Sequence, residues 1–170
     1  MAFVYTGMGP QWWGMGGELL RTSERFAEVV ADCDRELARF GLSIGDELLR
    51  PEAESRLTGT LYAQVANFVV QAGLTAMWRD WGVEPAAIVG HSVGEVAAAY
   101  AAGVYSLQDA LTISYHRANL QARLAGRGVM AAVDMPEDDL RPYLLDGWAS
   151  RRSTAQPPPP SPETRTPWPR

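Results

Sequence analysis

AAIVGHSVGE, residues 86–95, is a short apolar run that meets a glycine-bracketed serine. Gly90-His91-Ser92-Val93-Gly94 fits G-x-S-x-G, a motif that places its serine on a tight turn between a buried strand and a helix. The flanks suit that context. Ala86 to Val89 reads as a strand, and the small, alanine-rich stretch from Val93 to Ala102 reads as a tightly packed helix stopped by Gly103. A helix beginning there sets free amides and positive potential beside the Ser92 hydroxyl, where a tetrahedral intermediate would carry its negative oxygen. Ser92 is therefore the candidate nucleophile. The alternative is a purely structural strand-to-helix turn.

Outward from this point the chain alternates. Phe3 to Thr6 is apolar and aromatic and predicts a buried first strand. Residues 7–17 hold five glycines and the pair Trp12-Trp13. Glycine loses the most backbone entropy on ordering, so this is a loop that approaches something closely, not a helix interior. It has no Lys at its end, which removes a phosphate-loop reading. Leu19, Phe26, Val30, Cys33, Leu37 and Phe40 form one helical stripe over 18–40, with Ser23 able to start a new helix inside it and Gly41 as the stop. Residues 42–59 are mixed and polar, and Pro51 breaks any long helix there. Leu61 to Trp81 is helical and ends at Gly82. Ser106 and Asp109 begin a helix from Leu107 to about Leu124 in the manner of a capping box. Val129 to Val133 reads as a third strand, and Pro136 opens a short helix, Glu137 to Leu145, with acidic residues in its first turn.

This order predicts an α/β fold with a mainly parallel sheet carrying a nucleophile elbow. After Trp148 the character changes: seven of the last sixteen residues are proline, and apolar periodicity is gone. The expected organisation is therefore 1–127, 128–148 and a Pro-rich disordered tail, 149–170. The tail reads as a linker, a ligand for a proline-recognition module, or the product of a coding-frame slip.

The formal charge of -5 is spread along the chain, and all 15 basic residues are Arg. That distribution argues against a nucleic-acid partner. Cys33 is the single cysteine, so no intrachain disulfide is expected and a buried helical thiol is the simplest reading. No eighteen-residue apolar run exists, and MAFVYTGMG lacks a basic leader region, so the expectation is a cytoplasmic protein with no membrane partner. Two histidines, one cysteine and no H-E-x-x-H give no metal-ligand spacing. A serine nucleophile needs a base. His91 adjoins Ser92, but a neighbour on such a turn points elsewhere, and His116 reads as a packed or surface helix residue as readily as a site residue. Arg117 follows it and would bind a carboxylate in bidentate fashion if its helix borders the Ser92 cleft. Otherwise it is a solvated arginine.

Three signatures in order, FVYTGMGPQWWGMG (3–16), GHSVGE (90–95) and the helix holding Tyr115-His116-Arg117, resemble the acyltransferase domains of modular type I polyketide synthases and their fatty-acid-synthase relatives. The resemblance runs from residue 2 to about 148 and implies an N-terminal fragment of a hydrolase-like α/β domain, with 128–148 as the start of a small ferredoxin-like subdomain. It implies that Ser92 takes an acyl group from a coenzyme A thioester and passes it to the phosphopantetheine thiol of an acyl carrier protein, without a bound cofactor. Carried over by position, the backbone amides of Met8 and Val93 form the oxyanion hole. Arg117 holds the extender carboxylate, and Gln11 and His91 lie near the cleft. Met8 stands where the family usually has glutamine, which leaves the amide but changes the cleft surface. Thr60-Leu61-Tyr62-Ala63-Gln64 is similar to the segment upstream of malonyl-specific sites, so Tyr62, Ala63 and Gln64 are the specificity candidates. Val93 after the serine also points to malonyl-CoA as donor. The family's catalytic histidine has no counterpart in this sequence, so the chain alone is expected to be weakly active or inactive, with the remaining synthase domains as further partners. The competing readings are a serine hydrolase, either esterase or thioesterase, and a non-catalytic fragment.

Overall fold

In the computed structural model, residues 1–128, 131 and 133–144 are described. The chain divides into two compact units, 1–128 and 129–170.

The first unit is an α/β fold on a small parallel sheet. Strand β1 (Ala2–Tyr5) pairs with β2 (Ala87–Gly90), in the register Ala2 to Ala87 through Tyr5 to Gly90. Parallel pairing needs a crossover, and four helices supply it: α1 (Gly17–Thr22), α2 (Glu24–Leu37), α3 (Ile44–Leu48) and the long α4 (Thr60–Asp80), with a 3-10 turn after α2 and another before α4. The fifth, α5 (Gly94–Ala101), follows β2 directly, and α6 (Leu107–Ala122) closes the unit.

Each boundary has a local cause. Ser23 is extended, and its hydroxyl accepts from Phe26 N at 3.3 Å, so the stripe expected as one helix is two. Ser106 Oγ accepts from Asp109 N at 3.1 Å, and the Ser106 hydroxyl bonds the Asp109 carboxylate at 2.6 Å. Helix α4 is central. It packs against α2 on one side and against α5 and α6 on another. Phe26, Cys33, Leu37, Val65, Phe68, Ala110, Leu111 and Ala118 are all fully buried around it. Gly73 is small for a packing reason: an added Cβ would lie 2.6 Å from the Phe26 ring.

Residues 42–59, read as a mixed and polar connection, hold a short helix and part of the core. Ile44, Leu48 and Leu57 are buried, and so is Glu47 at 0% exposure. The Glu47 carboxylate accepts from Arg56 N at 2.5 Å and Arg56 Nε at 2.7 Å, and Arg50 Nε lies 3.0 Å away. The Asp34 carboxylate accepts from the amides of Ile44 and Gly45 at the start of α3. A five-residue helix is too short to show periodicity, and its apolar residues are separated by the charges that pin it.

In the second unit, α7 (Glu137–Leu140) is followed by a 3-10 turn (Arg141–Tyr143). The helix expected to reach Leu145 changes form at Pro142, whose nitrogen cannot donate to the turn before it. The third strand, read at 129–133, and the Pro-rich tail fall on or among positions outside the described residues.

Burial pushes the Cys33 thiol up to about 12, from 9.0, and the Asp34 and Asp32 charges add to this. The unfolded thiol ionises near 9.0 while the folded one stays protonated. The stabilising contribution is therefore complete below pH 9 and is lost as pH rises toward 12. Native protein at pH 8 should resist a maleimide or a disulfide reagent at Cys33 and should react fully in guanidinium. Rapid labelling of the native chain would contradict this burial.

Candidate active site

Because β1 and β2 run parallel and in register, the loops leaving both strands emerge at the same edge. His91 N donates to Tyr5 O at 3.0 Å, which ties the second loop to the end of the first strand. The chain then reverses within two residues. Ser92 adopts φ 57°, the only non-glycine positive φ among the described residues, at a cost of about 1–2 kcal/mol. Gly94 N donates to His91 O at 2.9 Å and Glu95 N to Ser92 O at 3.1 Å, so α5 begins at once. Backbone crowding explains both motif glycines. An added Cβ at Gly94 would sit 2.3 Å from Tyr5 O, and one at Gly90 would sit 2.4 Å from Gly94 O.

The hydroxyl raised by this turn meets a cation. Arg117 Nη2, from α6, donates to Ser92 Oγ at 3.1 Å. Its Nη1 donates to Gln64 Oε1 on α4 and reaches Gln121 Oε1 at 3.5 Å. Gln64 is fully buried, and its Nε2 donates to Gln121 Oε1 at 2.6 Å. Ser92, Glu95, Val96, Tyr105, Ile113 and Arg117 line a cleft of about 250 Å³. A larger groove of about 440 Å³ runs along β1, from Met1 to Trp78. It is mostly apolar, and its Tyr5 and Thr75 hydroxyls bond each other at 2.8 Å, so the reactive groups belong to the smaller cleft.

The remaining candidates are distributed around this centre. The amides of Met8 and Val93 have no acceptor among the described residues. Gln11 Oε1 accepts from Gly9 N at 2.6 Å and from Asn67 Nδ2 at 3.5 Å, so this side chain braces the glycine-rich loop. His91 is exposed and makes no hydrogen bond to Ser92 among the described residues; an added Cβ at Gly7 would fall 3.1 Å from its Nδ1. His116 lies edge-on to Phe40 at 5.6 Å, a packing role. Of the three specificity candidates only Gln64 enters the network. Ala63 is buried in the core, and the Tyr62 ring carries the Arg56 guanidinium at 4.0 Å. Sequence reasoning missed Gln121, although its place one helical turn after Arg117 is a readable signal. It also missed the cleft walls Glu95, Tyr105 and Ile113, which nothing in their own types marks out. Among the described residues, no group of His, Cys, Asp and Glu could hold a metal ion, and no helix is long and apolar enough to cross a membrane.

The family model described as "Acyl transferase domain" matches residues 2–146. The highly reducing polyketide synthase sdnO of Sordaria araneosa is 43% identical over 150 residues, which are 85% of this chain and 5% of that protein. Among solved structures, a loading acyltransferase from the avermectin modular polyketide synthase matches with TM-score 0.75 and 39% identity, over 84% of this chain and 45% of that one. The malonyl-CoA:ACP transacylase of Synechocystis sp. PCC 6803 matches with TM-score 0.64 and 33% identity, over 74% and 41% of the two chains.

The left-handed turn at Ser92 gives a stability signature. Ser92→Gly should be more stable than Ser92→Ala by about 1 kcal/mol, since only glycine takes that conformation without strain. Gly94→Ala should destabilise by about 1–3 kcal/mol or more, because the new methyl meets carbonyl oxygen instead of a movable side chain. Urea melts of the three variants check both. Equal stability of the two Ser92 variants would contradict the strained turn.

Proposed function

The chain belongs to the acyl transferase domain family, and we propose that Ser92 takes an acyl group, malonyl by preference, from coenzyme A and hands it to the phosphopantetheine thiol of an acyl carrier protein in polyketide assembly. The observation that carries this reading is the Arg117 guanidinium 3.1 Å from Ser92 Oγ, at a left-handed elbow beside unpartnered amides. In the first half-reaction Ser92 Oγ attacks the thioester carbonyl. The oxyanion forms toward the amides of Met8 and Val93, the C–S bond breaks, and coenzyme A leaves as its thiol. In the second the carrier thiol attacks the acyl-serine ester and frees the hydroxyl.

Arg117 has a role in this scheme that a plain esterase would not need. Its planar fork suits a carboxylate, and substrate binding exchanges the bond to Ser92 for one to the malonyl group. Val93 beside the serine and the segment ending in Gln64 support malonyl over bulkier extenders, though an extra methyl changes preference by only about 1–3 kcal/mol. Proton transfer from Ser92 Oγ needs a base. Arginine stays charged and cannot accept the Oγ proton, and neither histidine bonds Ser92 among the described residues. Removing one triad member typically lowers rates by several orders of magnitude, so acylation by this chain alone is slow.

Incubation with malonyl-CoA or acetyl-CoA, acid quench and peptide mass analysis test the assignment. The expected product is a slowly formed malonyl ester on the Ser92 peptide, absent in Ser92→Ala. Arg117→Ala should lower the malonyl-to-acetyl labelling ratio about tenfold or more. Label on another residue would overturn the assignment. Continuous release of coenzyme A without a carrier would favour the hydrolase instead.

A further inference from the structure

We propose that Gln121 is a positioning residue that keeps the charge of Arg117 uncompensated, and so reserves the cleft for acyl groups that carry their own carboxylate. The inference rests on the acyl-transfer reading and concerns how selectivity is built.

A carboxamide has a donor end and an acceptor end. Gln64, fully buried, turns its Oε1 to Arg117 and its Nε2 to Gln121 Oε1 at 2.6 Å. The opposite orientation would set an N–H against the guanidinium and leave a buried donor facing a donor, which is costly. The Gln121 acceptor therefore joins Arg117 in favouring the orientation of Gln64 that turns its oxygen to the guanidinium. Its own Oε1 also lies 3.5 Å from Arg117 Nη1.

Every oxygen that Arg117 meets is thus neutral: Gln64 Oε1, Gln121 Oε1 and Ser92 Oγ. Among the described residues Arg117 makes no ion pair, even though Glu95 lines the same cleft. The same chain uses a carboxylate where an arginine is structural, at buried Glu47 with Arg50 and Arg56. Neutral acceptors hold a guanidinium in place without cancelling its charge. The missing counter-ion is then supplied by substrate, and an uncharged acetyl group leaves the charge unanswered.

The test uses the full 170-residue chain with Ser92→Ala, so that no acyl transfer is counted. Calorimetry gives the ratio of acetyl-CoA to malonyl-CoA dissociation constants, and thermal melting reports folding. Gln121→Glu places a carboxylate against Arg117 and should lower the ratio about tenfold or more, and Gln121→Met, which lacks the acceptor, should lower it less. Since Gln121 is exposed, both variants should melt close to the parent. A Gln121→Glu chain that folds and keeps the ratio within about twofold overturns the proposal. If that variant does not fold, an unchanged ratio in Gln121→Met overturns it equally. If the parent shows no preference for malonyl-CoA, or Arg117→Ala leaves the preference intact, the acyl-transfer reading and this inference fall together. A preference that depends on Arg117 but not on Gln121 removes this inference alone.

Discussion

The close crossing of backbone at the end of the strand pair governs the rest of the structure. Tyr5 O accepts from His91 N and also lies where a side chain on Gly94 would begin. The first strand therefore sits directly over the start of α5, with no room for a Cβ between them. Within that space the chain can pass from strand to helix only through a sharp reversal, and Ser92 absorbs it with a positive φ. The strain is held by the parallel register of β1 and β2 and by the immediate closure of the α5 hydrogen bonds. An exposed hydroxyl beside unpartnered amides is the geometric result.

That hydroxyl acquires chemical direction from helices distant in sequence. Arg117 comes from α6 and Gln64 from α4, and their alignment depends on how those helices pack. Ser114, three residues before Arg117, and Ala118, immediately after it, are buried on α6 and fix the face that the arginine presents. On α4, buried residues run from Ala63 to Val69 without interruption, so Gln64 is held in a continuously buried stretch of the helix. Site precision is inherited from core packing here, as it must be where a displacement of about 1 Å changes a reaction rate substantially.

The sequence carried much of this. The elbow at Ser92, the capped start of α6 at Ser106 and the stripe through Phe26, Cys33 and Leu37 are local patterns, and local patterns survive folding because short-range hydrogen bonds and one buried face cause them. Arg117 was legible only as a conditional: its type suits a carboxylate, but whether α6 borders Ser92 is a tertiary fact. Glu47 was illegible for the opposite reason. Its type signals exposure, and only the convergence of Arg50 and Arg56 makes its burial tolerable. The role of Pro142 in ending α7 was visible in the sequence and overlooked, since an acidic first turn says where a helix begins and nothing about where it stops.

The same contrast bears on how one chain uses arginine in two ways. At Glu47 the desolvation of a buried carboxylate is offset by two guanidinium groups and a backbone amide, and Arg50 Nη1 also lies 3.7 Å from the Glu54 carboxylate, so two cations face two anions. At Arg117 the partners are amides and a hydroxyl, which satisfy its N–H groups geometrically and leave the field pointing into the cleft. Both arrangements give the buried group at their centre, the Glu47 carboxylate or the Gln64 amide, hydrogen-bond partners. They differ in net charge, and net charge decides whether a site is finished or is waiting for an anion. The neutral acceptors around Arg117 therefore say more about the cleft than the arginine does alone, because an arginine of unspecified surroundings is as easily structural as functional.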